Sequence, residues 1–318
     1  MKQSLLDYLA CPACHQSYEL RAHAEDRGET ITGELICAGG HRVPVVRGVP
    51  RFVASYHPTA RAFAYSWGSF PKLHAYEAEQ LLDWVAPLRL EDFKDRVVLD
   101  AGCGKGRHLT VASESGATVA IGADLSDAVD IAWEHTRHLP NAHVIQADIL
   151  HLPLRPNFDL IFSVGVLHHM DDPRAGYVAL TRLLAPRGLL ATWFYAREGN
   201  GWIIYLLNPM RTYLTSRLPH GALRVVSFAP ALFIWAWARV ASAFGKIGIH
   251  LPYYEYLRWF ARYPFGEAYS IVFDHLIPPV AYYLRGSELK QWAAEAGLSL
   301  SSLAWFRQMS WTMHARKT

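Results

Sequence analysis

Eleven residues, Val97-Val98-Leu99-Asp100-Ala101-Gly102-Cys103-Gly104-Lys105-Gly106-Arg107, restrict what this chain can fold into more than any other stretch. Val97 to Leu99 is a short apolar run suited to a buried strand. Glycines then recur at every second position, and a helical pattern runs from Arg107 to Ser115. Glycine permits a tight turn and a close backbone approach to a ligand. The helix beyond offers free N–H groups and a partial positive charge. Strand, glycine turn and helix open an α/β sheet whose ligands bind beyond the carboxyl ends of the strands. The spacing then selects among ligands. A phosphate loop requires Gly-Lys followed by Ser or Thr, and Lys105 is followed by Gly106. A dinucleotide fingerprint reads Gly-x-Gly-x-x-Gly, whereas this loop reads Gly-x-Gly-x-Gly with Asp100 ahead of it. What remains is a cradle for a nucleotide or for the carboxylate of an amino-acid-like cofactor.

Further strands are expected near 118–121, 143–146, 160–162 and 189–194, with helices between them, including one capped by Ser126. That alternation predicts a mostly parallel sheet. Asp124 ends the second strand, where a carboxylate can accept both ribose hydroxyls. Asp148 ends the third. An acid followed by Gly-x-Gly-x-Gly, with these later acids in order, resembles the class I S-adenosylmethionine-dependent methyltransferases of the methyltransferase type 11 kind. The resemblance implies an α/β fold: a seven-stranded Rossmann-like sheet. It assigns Asp100, Gly102, Gly104 and Gly106 to the methionine end of S-adenosylmethionine and Asp124 to the ribose. Asp148 would meet the adenine amino group, with Leu125 and Ile149 flanking the ring. The run Phe158 to His169 resembles the fourth strand and its loop. It places Ser163 at the cofactor and His168 and His169 near the transferred methyl. Either histidine suits a general base, since imidazole titrates near neutrality. Alignment alone also supplies much of the catalysis for a sulfonium donor. In Tyr65-Ser66-Trp67 the aromatic pair would close over the cofactor, with Tyr65 among the binding residues.

Three of the four cysteines lie before residue 40, as Cys11-x-x-Cys14 and Cys37-x-x-x-His41. Three thiolates and an imidazole suit a closed, tetrahedral structural zinc site. So short a segment buries little core alone and gains from such a staple. It resembles the small Trm112-like zinc domains. Its ending also resembles the zinc modules of certain rRNA methyltransferases, which raises RNA as an acceptor. Residues 1–58 hold six Lys/Arg and six Asp/Glu, however, and a phosphate-tracking module should be basic.

Residues 200–283 carry 19 of the 41 aromatic residues and seven Arg/Lys against three Asp/Glu. They read as a helical insertion or lid over the acceptor side, with Leu232, Phe233, Trp235, Trp237 and Phe244 on one nearly all-apolar helix. The domains expected are a zinc ribbon at 1–57, a cofactor-binding core at 58–199, the lid at 200–283, and a helix and strands at 284–318 completing the core. From the lid's composition the expected acceptor is a small molecule or lipid-like compound, and nucleic acid is less favoured. The alternatives are an RNA-base methyltransferase and a non-catalytic cofactor-binding scaffold. With no signal-peptide pattern at the start, the expected compartment is the cytoplasm. The stretch 225–244 is the candidate for peripheral membrane contact, since its apolar run of 14 residues falls short of the ~20 needed to span a bilayer.

Overall fold

The computed structural model describes residues 1–55, 57–245 and 250–318. The N-terminal unit is an antiparallel sheet of four strands in sequence order: β1 (Tyr18–Asp26), β2 (Glu29–Cys37), β3 (Arg42–Val46) and β4 (Val49–Pro50). Val43, Val45 and Val49 point inward along the last two, as alternation on a half-buried sheet requires. The unit does not keep a core of its own. Met1, Leu5, Leu9, Tyr18 and Leu35 share one apolar cluster with Leu99, Ile121 and Ile145 of the main sheet. Just past β4, the Phe52 N–H donates to the Gln146 carbonyl at 2.8 Å, so the connection runs along the edge of that sheet.

Two helices follow, α1 (Pro58–Ser69) and α2 (Glu77–Trp84). His57 caps α1 by accepting from the Thr59 N–H, and Pro58 stands at its first position, where proline's missing N–H costs nothing. The main sheet comprises β5 (Val97–Ala101), β6 (Val119–Asp124), β7 (Ala142–Gln146), β8 (Phe158–Val164), β9 (Leu184–Tyr195), β10 (Leu298–Phe306) and β11 (Ser310–Lys317). Its order is β10-β11-β9-β8-β5-β6-β7, with β5 to β9 parallel and the last two strands antiparallel. Helices α3 (Arg107–Glu114), α4 (Ala128–Thr136) and α5 (Pro173–Thr181) connect the parallel strands. The seven-stranded Rossmann-like architecture is as expected. Ser126 supplies the expected cap at the start of α4: its hydroxyl accepts the Ala128 N–H at 3.3 Å while donating to Asp124 at 2.7 Å.

The insertion holds α6 (Asn208–Tyr213), α7 (His220–Ala243), α8 (Tyr254–Phe260) and α9 (Phe265–Leu276), after which α10 (Gly286–Glu295) rejoins the core. Helix α7 packs on α8 and α9 through a narrow stripe of mostly small residues: Leu223, Ser227, Ala231, Ala238 and Ala241. Its bulky side chains point away, with Val225 76% and Phe233 72% exposed. The usual pattern is the reverse, with large apolar residues inside and polar ones out. Among the described residues α7 is the one helix long and apolar enough to cross a membrane by length and composition.

Candidate active site

The glycine loop leaves β5 at the carboxyl edge of the sheet and enters α3. At Gly102 φ is +89°, and a Cβ would lie 2.3 Å from the Val166 side chain. At Gly104 φ is +51°, and a Cβ would lie 2.7 Å from the Trp67 ring. Both positions therefore demand glycine, for conformation and for space. Gly106 caps α3 and lies beneath Ala132. The two cations of the loop reach back to the segment before the sheet. Lys105 is buried; its Nζ donates to the carbonyls of Phe70 (3.1 Å) and Lys72 (2.7 Å) and lies 3.5 Å from Glu77. Arg107 donates to Gln80 at 2.9 Å and stands over the Trp67 ring, 5.1 Å from its centre. Trp67 is thus pinned across the loop.

Asp124 at the end of β6 accepts the Gly104 N–H at 2.9 Å on one oxygen. On the other it accepts the Ser126 N–H at 2.8 Å and hydroxyl at 2.7 Å. The oxygen bonded to Gly104 retains a lone pair for a ribose hydroxyl, while both sites on the other are taken by Ser126. Asp100 is 2% exposed, and its Oδ2 has no hydrogen-bond partner. Burial first, and then the nearby Asp124 carboxylate, push its pKa well above the ordinary range. An orphaned buried carboxylate at this point fits the ammonium group of an amino-acid-like cofactor, which would supply the missing charge.

A cavity of about 320 Å³ opens beside this loop. Of the residues singled out from the sequence, Gly102, Asp124, Leu125, Asp148, Ile149 and His169 line it. The others stand back. Ser163 is buried, and its hydroxyl donates to the Ala101 carbonyl at 2.8 Å, tying β8 to β5. Tyr65 faces the insertion, packing on His220 and Phe273, and Trp67 lines the cavity in its place. His168 is fully buried behind His169 and bonds the Trp193 backbone. His169 Nδ1 lies 2.7 Å from the Val280 carbonyl. That carbonyl fixes Nδ1 as the protonated nitrogen and leaves Nε2 as an acceptor. Burial lowers the His169 pKa to about 3.

Sequence reasoning missed the α1 wall of the cavity: His57, Thr59, Ala60 and Phe63. These residues carry no motif spacing. The expectation of a lid over the acceptor side is corrected as well. No described residue of 200–283 lines this cavity. The insertion packs instead against Ala62 and Trp84 of α1 and α2. Of the five apolar side chains expected on one helix, Leu232, Phe233, Trp237 and Phe244 are exposed, while Trp235 donates to the Tyr263 carbonyl at 3.1 Å.

In the N-terminal unit, Cys11 and Cys14 lie on the knuckle before β1, Cys37 ends β2 and His41 precedes β3. One ligand atom from each lies within 4.8 Å of all the others. The spacings Cys37 Sγ–His41 Nδ1 of 3.3 Å, Cys14–Cys37 of 3.5 Å and Cys11–His41 of 3.6 Å are close to the edges of a tetrahedron with metal–ligand bonds of ~2.0–2.3 Å.

The sheet order, the glycine turn and the acids at the ends of β5, β6 and β7 define a methyltransferase domain of the S-adenosylmethionine-dependent kind. Residues 99–192 match the family model described as "Methyltransferase domain". Among curated proteins, this region is similar to tRNA U34 carboxymethyltransferase of Idiomarina loihiensis, 33% identical over 139 residues, covering 39% of this chain and 41% of that one. It is also similar to the protein of the same name from Pectobacterium atrosepticum, 37% identical over 126 residues, 38% of this chain and 37% of that one. The chain thus spans about two fifths of the length of the curated relatives it matches. Among solved structures, magnesium protoporphyrin IX methyltransferase from Synechocystis PCC 6803 superposes with a TM-score of 0.46 at 12% identity, covering 84% of this chain and 100% of that one.

The relatives overturn one expectation from the sequence. A small-molecule or lipid-like acceptor, with nucleic acid ranked below it, rested on the insertion's composition and the even charge of residues 1–58. The curated relatives, at 31–37% identity, are named for a tRNA base and favour the RNA-base alternative. The insertion was a poor guide because it lies off the cavity. The ribbon's charge was a poor guide because the matched region, 99–192, excludes the ribbon.

Proposed function

We propose that this chain transfers a methyl group from S-adenosylmethionine to a base of RNA, with tRNA the first acceptor to test. The observation that carries this reading is the 31–37% identity to proteins named tRNA U34 carboxymethyltransferase. When bound, the cofactor supplies a methyl group activated by its sulfonium leaving group. Asp100 and the Gly102 backbone would hold the amino-acid end, Asp124 the ribose, and Asp148 the adenine between Leu125 and Ile149. Trp67 closes that end of the cleft. A base must leave its stack to reach an active site, and it then needs aromatic and apolar walls. Phe63, Val164, Val166 and Met170 supply such walls around the cavity. The depressed pKa of His169 makes it a neutral acceptor that orients the base rather than a store for its proton. In the N-terminal unit, Cys11, Cys14, Cys37 and His41 would hold a structural zinc ion. The compartment proposed with this reading is the cytoplasm. Peripheral membrane contact through 225–244 gains nothing from the relatives and is no part of it.

The test is transfer of labelled methyl from S-adenosylmethionine into total RNA and into small-molecule extract of the host. Label in nuclease-sensitive material, lost in Asp124→Ala, is the expected result. Label that survives nuclease and follows the organic fraction would overturn the reading. Metal analysis of the purified protein should find about one zinc per chain, lost in Cys14→Ala.

A further inference from the structure

Arg211 on α6 is the largest fully buried side chain in the described structure, at 1% exposure. A buried guanidinium is ordinarily neutralised by a carboxylate, because isolating its charge is costly. Arg211 makes no ion pair with any described carboxylate. Its Nη2 donates to the Asn208 side chain, it bonds the Tyr283 side chain, and its Nε has no partner. Asp274 of α9 is engaged elsewhere: it accepts from Ser66 Oγ at 2.5 Å. Around the guanidinium stand rings in contact with one another. Tyr195 is stacked between His275 and Tyr283, at 5.5 Å from each, and lies 4.1 Å from His168. His168 bonds the Trp193 backbone. The histidines are held neutral by burial, so the cluster keeps one positive charge and spare donors, with no anion to answer them. It adjoins the cavity through His169, whose ring meets Phe63 at 4.9 Å on one side and His168 at 4.4 Å on the other.

We propose that Arg211, with Tyr283, forms an oxyanion site behind the His168–His169 turn that takes a phosphate group. Assigning that phosphate to a phosphodiester of the acceptor rests on the RNA reading above; the oxyanion site itself does not. The insertion then serves recognition without lining the cavity: α6 carries a charged group that reaches the turn. Arg rather than Lys suits the task, since its fork of donors meets two phosphate oxygens at once.

The experiment is thermal unfolding of the full chain with inorganic phosphate against chloride at matched ionic strength. Phosphate at 100 times its dissociation constant should raise the Tm of the wild type by about 5 °C. Arg211→Met should lose that response and, without phosphate, melt at or above the wild type, because it removes an unanswered charge. A wild type indifferent to phosphate, an equal response in Arg211→Met, or a variant that melts well below the wild type without phosphate would each overturn the site. If Arg211→Met fails to fold, Tyr283→Phe carries the test: phosphate affinity should fall at least about threefold, and unchanged affinity overturns the proposal. With tRNA, Arg211→Met should raise KM about tenfold with kcat largely kept, the cost of a lost charge-assisted bond. An Arg211-dependent phosphate response that RNA does not compete for would uphold the oxyanion site and remove its assignment to the acceptor.

Discussion

Asp124 closes the glycine loop onto β6 and offers its remaining lone pair to the cavity, so one side chain serves both shape and binding. Asp124→Ala removes the expected ribose bond together with the Gly104 and Ser126 tethers. At about 1.5–3 kcal/mol for a hydrogen bond to a charged group, affinity for S-adenosylmethionine should fall roughly 10- to 100-fold by calorimetry; an unchanged value would exclude Asp124 from the site. Gly102→Ala forces a Cβ to 2.3 Å from Val166 at a left-handed φ. It should lower the Tm by several degrees, since strain of this kind costs about 1–3 kcal/mol. His169 makes the contrary prediction for pH. With its pKa near 3 the ring is neutral throughout the working range, so kcat should show no inflection from this residue between pH 5 and 8. A kcat inflection near pH 6.5 that His169→Gln abolishes would show an exposed, titrating imidazole instead.

The helix α1 shows what was legible in the sequence and what was not. Residues two apart on a helix point to nearly opposite sides, so Tyr65 and Trp67 could not both close over a cofactor. Trp67 meets the glycine loop, and Tyr65 meets the insertion. Trp67→Ala should therefore weaken cofactor binding, while Tyr65→Ala should lower thermal stability and leave cofactor affinity within twofold; the reverse pattern would reassign the pair. The glycine loop and the acids at the strand ends were legible because their chemistry fixes a spacing, and a spacing survives in one dimension. The α1 wall was not, because His57, Thr59, Ala60 and Phe63 reach the cavity only through the packing of α1 on the sheet. The same reason hid the Arg211 cluster, whose members come from β9, the turn after β8, α6, α9 and the segment before α10. The apolar character of the insertion was plain, but composition does not reveal which side of a helix faces in.

At the scale of the molecule, the ribbon and the cofactor cleft form one mechanical unit. Arg51, one residue past β4, donates to the Gln146 side chain at 3.1 Å and pairs with Asp130 of α4. Gln146 in turn donates to the Leu125 carbonyl at 3.2 Å, and Leu125 lines the cavity. Chelation of the proposed zinc should thus weaken S-adenosylmethionine binding several-fold as well as loosen the ribbon; a cofactor affinity that ignores chelation would show that the two halves are independent. Acid should be felt by the whole fold. Burial depresses His143 and His169 to about 3 and His314 to about 4, against ~6.5 in an unfolded chain. Below pH 6.5 the unfolded state binds the extra protons, so stability falls as pH falls from there toward 4. Urea midpoints at pH 5 should lie well below those at pH 7, and less so in His143→Phe. The outward bulk of α7 bears on a different property of the whole molecule. Eight large apolar side chains between Val225 and Phe244 face outward, and a surface of this kind is what a soluble chain ordinarily avoids. Colloidal behaviour in concentrated solution is therefore governed by a helix far from the chemistry. Charged substitutions at Val225 and Phe233 are the route to preparations that withstand high salt and long storage with turnover intact.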